Sequence, residues 1–292
     1  MMHPDGRGDA DPAHRAAVAE ARAEREARLR DPMSWLTLVG LHWLAPGWQR
    51  FGASPDNALV LRAADGEVPP IAGELEVVDG RVLVHPRPGA SLAVDGEPVA
   101  DGLELLDDEA DAPTILALAS LRLVLIRRGG RPALRVRDTA APVLSSFRGL
   151  EYFDVNPRWR VTAGLVRAAP GATIGVPDVL GDVKDAPTPG HLEFTVDGQT
   201  QRLAALEADD GQLWLVFGDA TNRHETYGGG RFLVTGAVQP DDTVEVDFNL
   251  AYNPPCAFSP FATCPLPPPG NQLTVRVEAG ERVWAAPHPT FG

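Results

Sequence analysis

The sequence predicts a mainly β protein: an N-terminal helix, a β-sandwich, then an antiparallel, barrel-like second half. Its 292 residues are 44% apolar and 23% charged, material for one large core or two ordinary ones. The 28 Pro and 29 Gly punctuate the chain densely. Between them the apolar segments run about 5–10 residues, the length of strands rather than helices.

The helix comes first. Residues 13–30 are dominated by Ala, Glu and Arg, all strong helix formers, and Asp31-Pro32 supplies the stop. Val18 and Leu29 are its only large apolar residues, so the segment 1–32 is expected to lie on the surface. WLTLVGLHWLAPGWQRFG then reads as two strands around Ala45-Pro46-Gly47, with Trp35, Trp43 and Trp48 assigned to core packing and His42 to a hydrogen-bonded core position. Strand signals recur in ALVLRA, GELEVVDGRVLVHP, SLAVDGEPV, LELL and TILALASLRLVLIRRGGRPALRVRD, with Asp-Gly and Gly-Gly at the bends, giving a β-sandwich over 33–144.

The stretch RFGASPDNALVL, GRVLVHP and VDGEPV is similar over about 90 residues to the cadence of forkhead-associated domains. Those domains bind phosphothreonine through an Arg, Ser and Asn set. The matching loop here is Arg50 to Ser54, and the expected Ser-x-x-His is missing at GEVPPIAG, so the likeness implies the sandwich without phosphopeptide binding.

A second run of strands starts near Ser145 and fills 145–292. GHLEFTVDGQTQRLAAL is a hairpin turning at Asp197-Gly198; GQLWLVFGDAT, GRFLVTGAV and DTVEVDFN follow, and QLTVRVEAGERVW is expected to end the sheet. An antiparallel barrel of some seven strands suits this half, with ligand space at its mouth.

A formal charge of −14 argues against nucleic acid and anionic membranes as partners, because phosphate is bound by compensating Lys and Arg. The N-terminus lacks the apolar stretch of a secretory signal and no segment has 18 consecutive apolar residues, which together predict a cytoplasmic location. No cofactor, metal or oligomeric state is assigned.

Chemistry is concentrated in three segments. Gly218 to Phe232 presents Asp219, Thr221, Arg223, His224, Glu225 and Tyr227 after an apolar strand, then Gly228 to Gly230 and Arg231. The glycines permit positive φ and close approach of N–H groups to an anion, a pattern shared by plain hairpins; no phosphate loop is present. Asp247 and Asn249, two apart at a strand end, share a face, and Arg231 is a natural partner for Asp247.

The third segment runs from Asn253 to Asn271. Its seven prolines exclude regular structure, while Tyr252, Phe258, Phe261 and Leu266 mark it as packed rather than disordered. Cys256 and Cys264, the two cysteines of the chain, lie here with seven residues between them. That spacing suits structural thiols, a disulfide, a reactive thiol with a resolving partner, or half a metal site.

DFNLAYNPPCAFSPFATCPLPPPGNQLTVRVEAGE, with DATNRHETYGGGRFL, RDTAAPVLSSFRGLEYFDVNPRWRV and WLTLVGLHWLAPG, resembles the bacterial and archaeal domain-of-unknown-function family numbered 1684, over nearly all the chain after residue 25. The resemblance implies a shared motif of Asp219, Thr221, Tyr227, Gly230, Arg231, Asp247, Asn249, Asn253, Cys256, Cys264 and Asn271, without His224, and brings no activity.

The favoured function is binding of a small anionic molecule at the C-terminal half. Arg231 and the N–H groups of Gly228 to Gly230 would receive the anion; Thr221, Tyr227, Asp247, Asn249, Asn253 and Asn271 complete the site. A hydrolase or thiol enzyme using Cys256 or Cys264 with Asp219 or Asp247 is the alternative. An interaction module on the Gly52 to Asn57 side is a third reading.

Overall fold

A computed structural model describes residues 11–284. Two compact units divide the chain: residues 29–147, and residues 148–284 together with 11–28.

Helix α1 (Pro12–Leu29) forms where Ala, Glu and Arg predict it. It has a buried stripe that its apolar content does not announce. His14 and Val18 are buried and Arg22 and Arg25 half-buried, at intervals of four, four and three that put them on one face.

The unit of residues 29–147 is a sandwich. Its strands are β1 (Leu38–Trp43), β2 (Gly47–Gly52), β3 (Leu59–Val60), β4 (Gly73–Val78), β5 (Arg81–Pro86), β6 (Leu92–Val94), β7 (Glu97–Pro98), β8 (Leu103–Glu104), β9 (Ile115–Leu118), β10 (Leu121–Arg128) and β11 (Arg131–Asp138). One sheet has the order β1-β11-β10-β9-β6-β7 and the other β3-β2-β4-β5-β8. Alternate residues point inward: Leu121, Leu123 and Leu125 of one sheet pack into a single core with Leu75, Val77, Val82 and Val84 of the other. The Asp-Gly and Gly-Gly pairs turn as their chemistry predicts, with Asp79-Gly80, Asp95-Gly96 and Gly129-Gly130 at positive φ or, for the Asp residues, in the left-handed region. The three tryptophans of this unit do not join the core, Trp35 being half-buried under Arg135 and Arg137. Trp43 and Trp48 fall on the outward parity of their strands, 38% and 57% exposed, the first under Arg131 and the second against His85.

The other unit is built on β12 (Arg160–Arg167), β13 (Thr173–Pro177), β14 (Val183–Pro187), β15 (Gly190–Val196), β16 (Gln199–Glu207), β17 (Leu213–Phe217), β18 (Arg231–Val234) and β19 (Thr243–Asp247). Six form one antiparallel sheet, β18-β17-β16-β15-β12-β19, and β13 pairs with β14 in a separate hairpin. The chain after β18 returns to β19 through Gly236 N–H to Glu245 O (3.0 Å) and Gln239 N–H to Thr243 O (2.8 Å), which curls the sheet toward a barrel. Phe194, Phe217, Phe248 and Leu215 fill its interior, with the Phe248 ring in contact with Phe194, Phe217 and Trp159.

The expected last strand does not form. Residues 272–284 run as an irregular extended segment, and the segment finds its partners at the turn after β17. Gly218 N–H donates to Asn271 O, Leu273 N–H to Gly218 O and Ala220 N–H to Val275 O, at 2.8, 2.8 and 3.2 Å.

Candidate functional site

The motif residues collect at one end of the barrel, where β17 and β19 finish and β18 begins. Asp219, two residues beyond β17, is buried and fully engaged: Oδ1 accepts from Thr221 N–H (2.8 Å), Thr221 Oγ1 (2.7 Å) and Val277 N–H (3.1 Å). Its Oδ2 receives Arg231 Nη2 at 2.7 Å. Arg231 also donates to Val277 O at 2.9 Å and to Ala279 O, and its guanidinium lies over the Phe217 ring. Burial lowers the Arg231 pKa, and Asp219 opposes that shift. The pair staples the irregular C-terminal segment to the sheet.

Arg231 therefore has no open face for the anion expected of it, since it is fully buried and its charge is met by Asp219. Nor does it pair with Asp247. That carboxylate accepts from His14 Nε2 at 2.6 Å and from Asn249 N–H and Nδ2 at 3.0 and 2.7 Å. The glycines act as a turn: Gly230 N–H bonds Tyr227 O at 3.2 Å, and Gly230 has φ +92°. A Cβ on Gly230 would stand 2.7 Å from Phe217 O, so the turn requires glycine there.

The three motif asparagines act as substitute backbone. Asn249 accepts from Asn156 N–H (2.9 Å) and donates to Asn156 O (3.0 Å). Asn271 accepts from Ala204 N–H (2.8 Å) and donates to Ala204 O and Val216 O, both at 2.9 Å, holding the end of the proline-rich loop against β16 and β17. Asn253 donates to Arg282 O at 2.8 Å, and its own N–H meets Glu281 at 2.7 Å. The amides of Asn249 and Asn271 are fully paired, whereas Oδ1 of Asn253 is buried without a partner; such side chains satisfy buried peptide groups where the chain leaves regular structure.

Helix α1 contributes residues with no local sequence signal. Besides His14, Arg25 pairs with buried Glu281 at 2.9 Å and donates to Asn253 O at 3.0 Å. Arg22 lies 4.3 Å from the Tyr152 ring centre and donates to Phe153 O at 3.0 Å. Burial raises the pKa of both Glu281 and Tyr152. The helix is thus bound by polar contacts beside its buried Val18.

The cysteines face each other across their loop. Cys256 N–H donates to Cys264 Sγ (3.1 Å) and Cys264 N–H to Cys256 Sγ (3.4 Å); neither is in a disulfide. Hydrogen bonding from the Cys264 thiol lowers the Cys256 pKa against the opposing effect of burial. Tyr227 is near enough for the two sulfurs to contribute to its raised pKa of about 12, of which burial is the larger cause. With Asp219 held by Arg231 and Asp247 by His14, no hydrogen bond among the described residues joins either carboxylate to a cysteine, and His224 is exposed on its turn. Among the described residues no group of three His, Cys, Asp or Glu side chains is arranged to hold a metal ion.

The opposite end of the barrel is open. An amphipathic groove of about 440 Å3 lies there, lined by Leu165, Arg167, Pro189, Glu207, Gln212, Leu213, Val238 and Pro240 among others.

The family model described as "Protein of unknown function (DUF1684)" matches residues 145–282, the stretch that builds the barrel and its motif end. An uncharacterized protein from gene locus rrnAC0354 of Haloarcula marismortui, solved by NMR in solution, is 33% identical over 47% of this chain and 78% of that one, with a TM-score of 0.40. The chain belongs to the DUF1684 family. No curated protein matches it. The DUF1684 match begins at residue 145, so the sandwich lies outside it, whereas the sequence resemblance reached back to residue 25. No helix of the described DUF1684 chain is long and apolar enough to cross a membrane.

Proposed function

We propose that this chain binds a small amphipathic molecule in the open groove of its C-terminal β unit. The observation that carries the reading is the contrast between the two barrel ends. At the motif end, Asp219, Thr221, Arg231, Asp247, Asn249, Asn253 and Asn271 are all engaged in internal hydrogen bonds. At the other end, Leu165, Leu213 and Val238 offer an apolar floor while Arg167, Glu207 and Gln212 stand at the rim. A recess in which apolar side chains stand beside a few convergent polar groups offers an amphipathic molecule both kinds of contact. Arg167, now paired with Asp242 at 2.8 Å, can exchange that exposed partner for an acidic group on the ligand. The motif end serves as the rigid closure that holds the strand ends in place.

A thermal-shift screen of metabolites against the wild type and Gln212→Trp tests the reading. The indole fills the groove, so a ligand of this site gives a saturable upward shift in the wild type that the variant lacks. Absence of any saturable shift, or equal shifts in both proteins, overturns it.

A further inference from the structure

We propose that Cys256 and Cys264 are a redox-active pair that closes to an intramolecular disulfide by exchange with a low-molecular-weight disulfide. The loop is built for this approach. Each cysteine presents its backbone N–H to the other's sulfur, at 3.1 and 3.4 Å, so the two side chains already converge and closure needs little chain movement. The loop is braced on both sides. Ala257, Phe258 and Ser259 N–H groups bond back to Pro254 and Pro255, and Val179 N–H donates to Cys264 O at 3.1 Å.

Exposure assigns the roles. Cys256 is half-buried and Cys264 only 4% exposed, which makes Cys256 the attacking thiol and Cys264 the resolving one. An N–H donor at sulfur stabilises thiolate, and thiolate is the nucleophile. The competing metal reading lacks donors, because no third His, Cys, Asp or Glu completes a cluster among the described residues.

The exchange balances as follows. The Cys256 thiolate attacks one sulfur of the oxidant RSSR, the S–S bond breaks and RS⁻ leaves, giving a mixed disulfide. Cys264, as thiolate, then attacks Cys256 Sγ; the Cys256–SR bond breaks and the second RS⁻ leaves. Two electrons pass from the cysteines to the oxidant, and the two thiol protons end on two RSH.

The test uses the full native chain with glutathione disulfide as probe, read by thiol titration and intact mass, with circular dichroism confirming the fold. The wild type is expected to lose both titratable thiols, retain no glutathione, and recover both on reduction with dithiothreitol. Cys264→Ser is expected to stop at a retained glutathione adduct on Cys256. Two wild-type outcomes overturn the proposal without reliance on any variant. One is that both thiols persist in the folded protein; the other is that glutathione stays attached, showing thiols that react independently. Either result leaves the groove reading untouched, because the pair lies at the other end of the barrel.

Discussion

Arg231 and Asp219 form an ion pair at 2.7 Å in which neither side chain is exposed. It joins the first residue of β18 to the turn after β17, and through Val277 and Ala279 it fixes the last described stretch of chain. Removing one member leaves a buried charge without its counterion. Asp219→Asn and Arg231→Met are each expected to cost about 3–5 kcal/mol in urea unfolding. The double variant should lose less than the sum of the two, because no orphan charge remains; additive losses would show that the two residues act separately.

Asn271 satisfies three backbone groups of β16 and β17 at once. Asn271→Leu keeps the volume and orphans all three, so a loss of more than about 2 kcal/mol is expected. Equilibrium denaturation measures it. A near-neutral result would mean that water replaces the amide.

His14 ties helix α1 to Asp247. His14→Ala should cost about 1.5–3 kcal/mol, the range for a hydrogen bond to a charged group. Hydrogen exchange is expected to speed up along the first turns of α1 before it does in the barrel strands. Unchanged protection of the helix would assign its docking to Arg22 and Arg25 alone.

Glu281 gives the protein a pH dependence with a definite sign. Burial lifts its folded pKa above the ordinary 4.5, while Arg25 and Asn253 N–H pull the other way without cancelling the shift. The folded state therefore holds the proton more tightly than the unfolded one. Its stabilising contribution is complete below pH 4.5 and is lost as pH rises through the higher folded value. Urea melts of the wild type and Glu281→Gln across that window should show the wild-type advantage shrinking as pH increases. An advantage that grew with pH would mean that the Arg25 pair outweighs desolvation.

Much of the fold was legible in the sequence. The alternation of Leu121, Leu123 and Leu125, the Asp-Gly turns at residues 79, 95 and 197, and the proline stop after α1 are local signals, because strand parity and turn dihedrals are set by neighbours along the chain. The packed loop from Asn253 to Asn271 was largely legible for the same reason: its aromatics demand burial and its prolines bar long helix or strand, leaving one 3-10 turn at Pro255–Ala257 and one bridge from Pro265 to Asp178.

Partner choice was not legible. The sequence placed Asp247, Arg231, Asp219 and two cysteines in one region, and only the tertiary structure paired Arg231 with Asp219, Asp247 with His14 and each cysteine with the other. His14 and Asp247 are 233 positions apart, so no local pattern links them. A buried polar contact is selected by the three-dimensional closure of the chain, where each desolvated donor must find an acceptor, whereas residue type along the chain fixes only which groups will need one. That is also why QLTVRVEAGERVW, with the alternation of a strand, became an extended staple: its periodicity was a property of sequence, and its partners at the turn after β17 were a property of the fold.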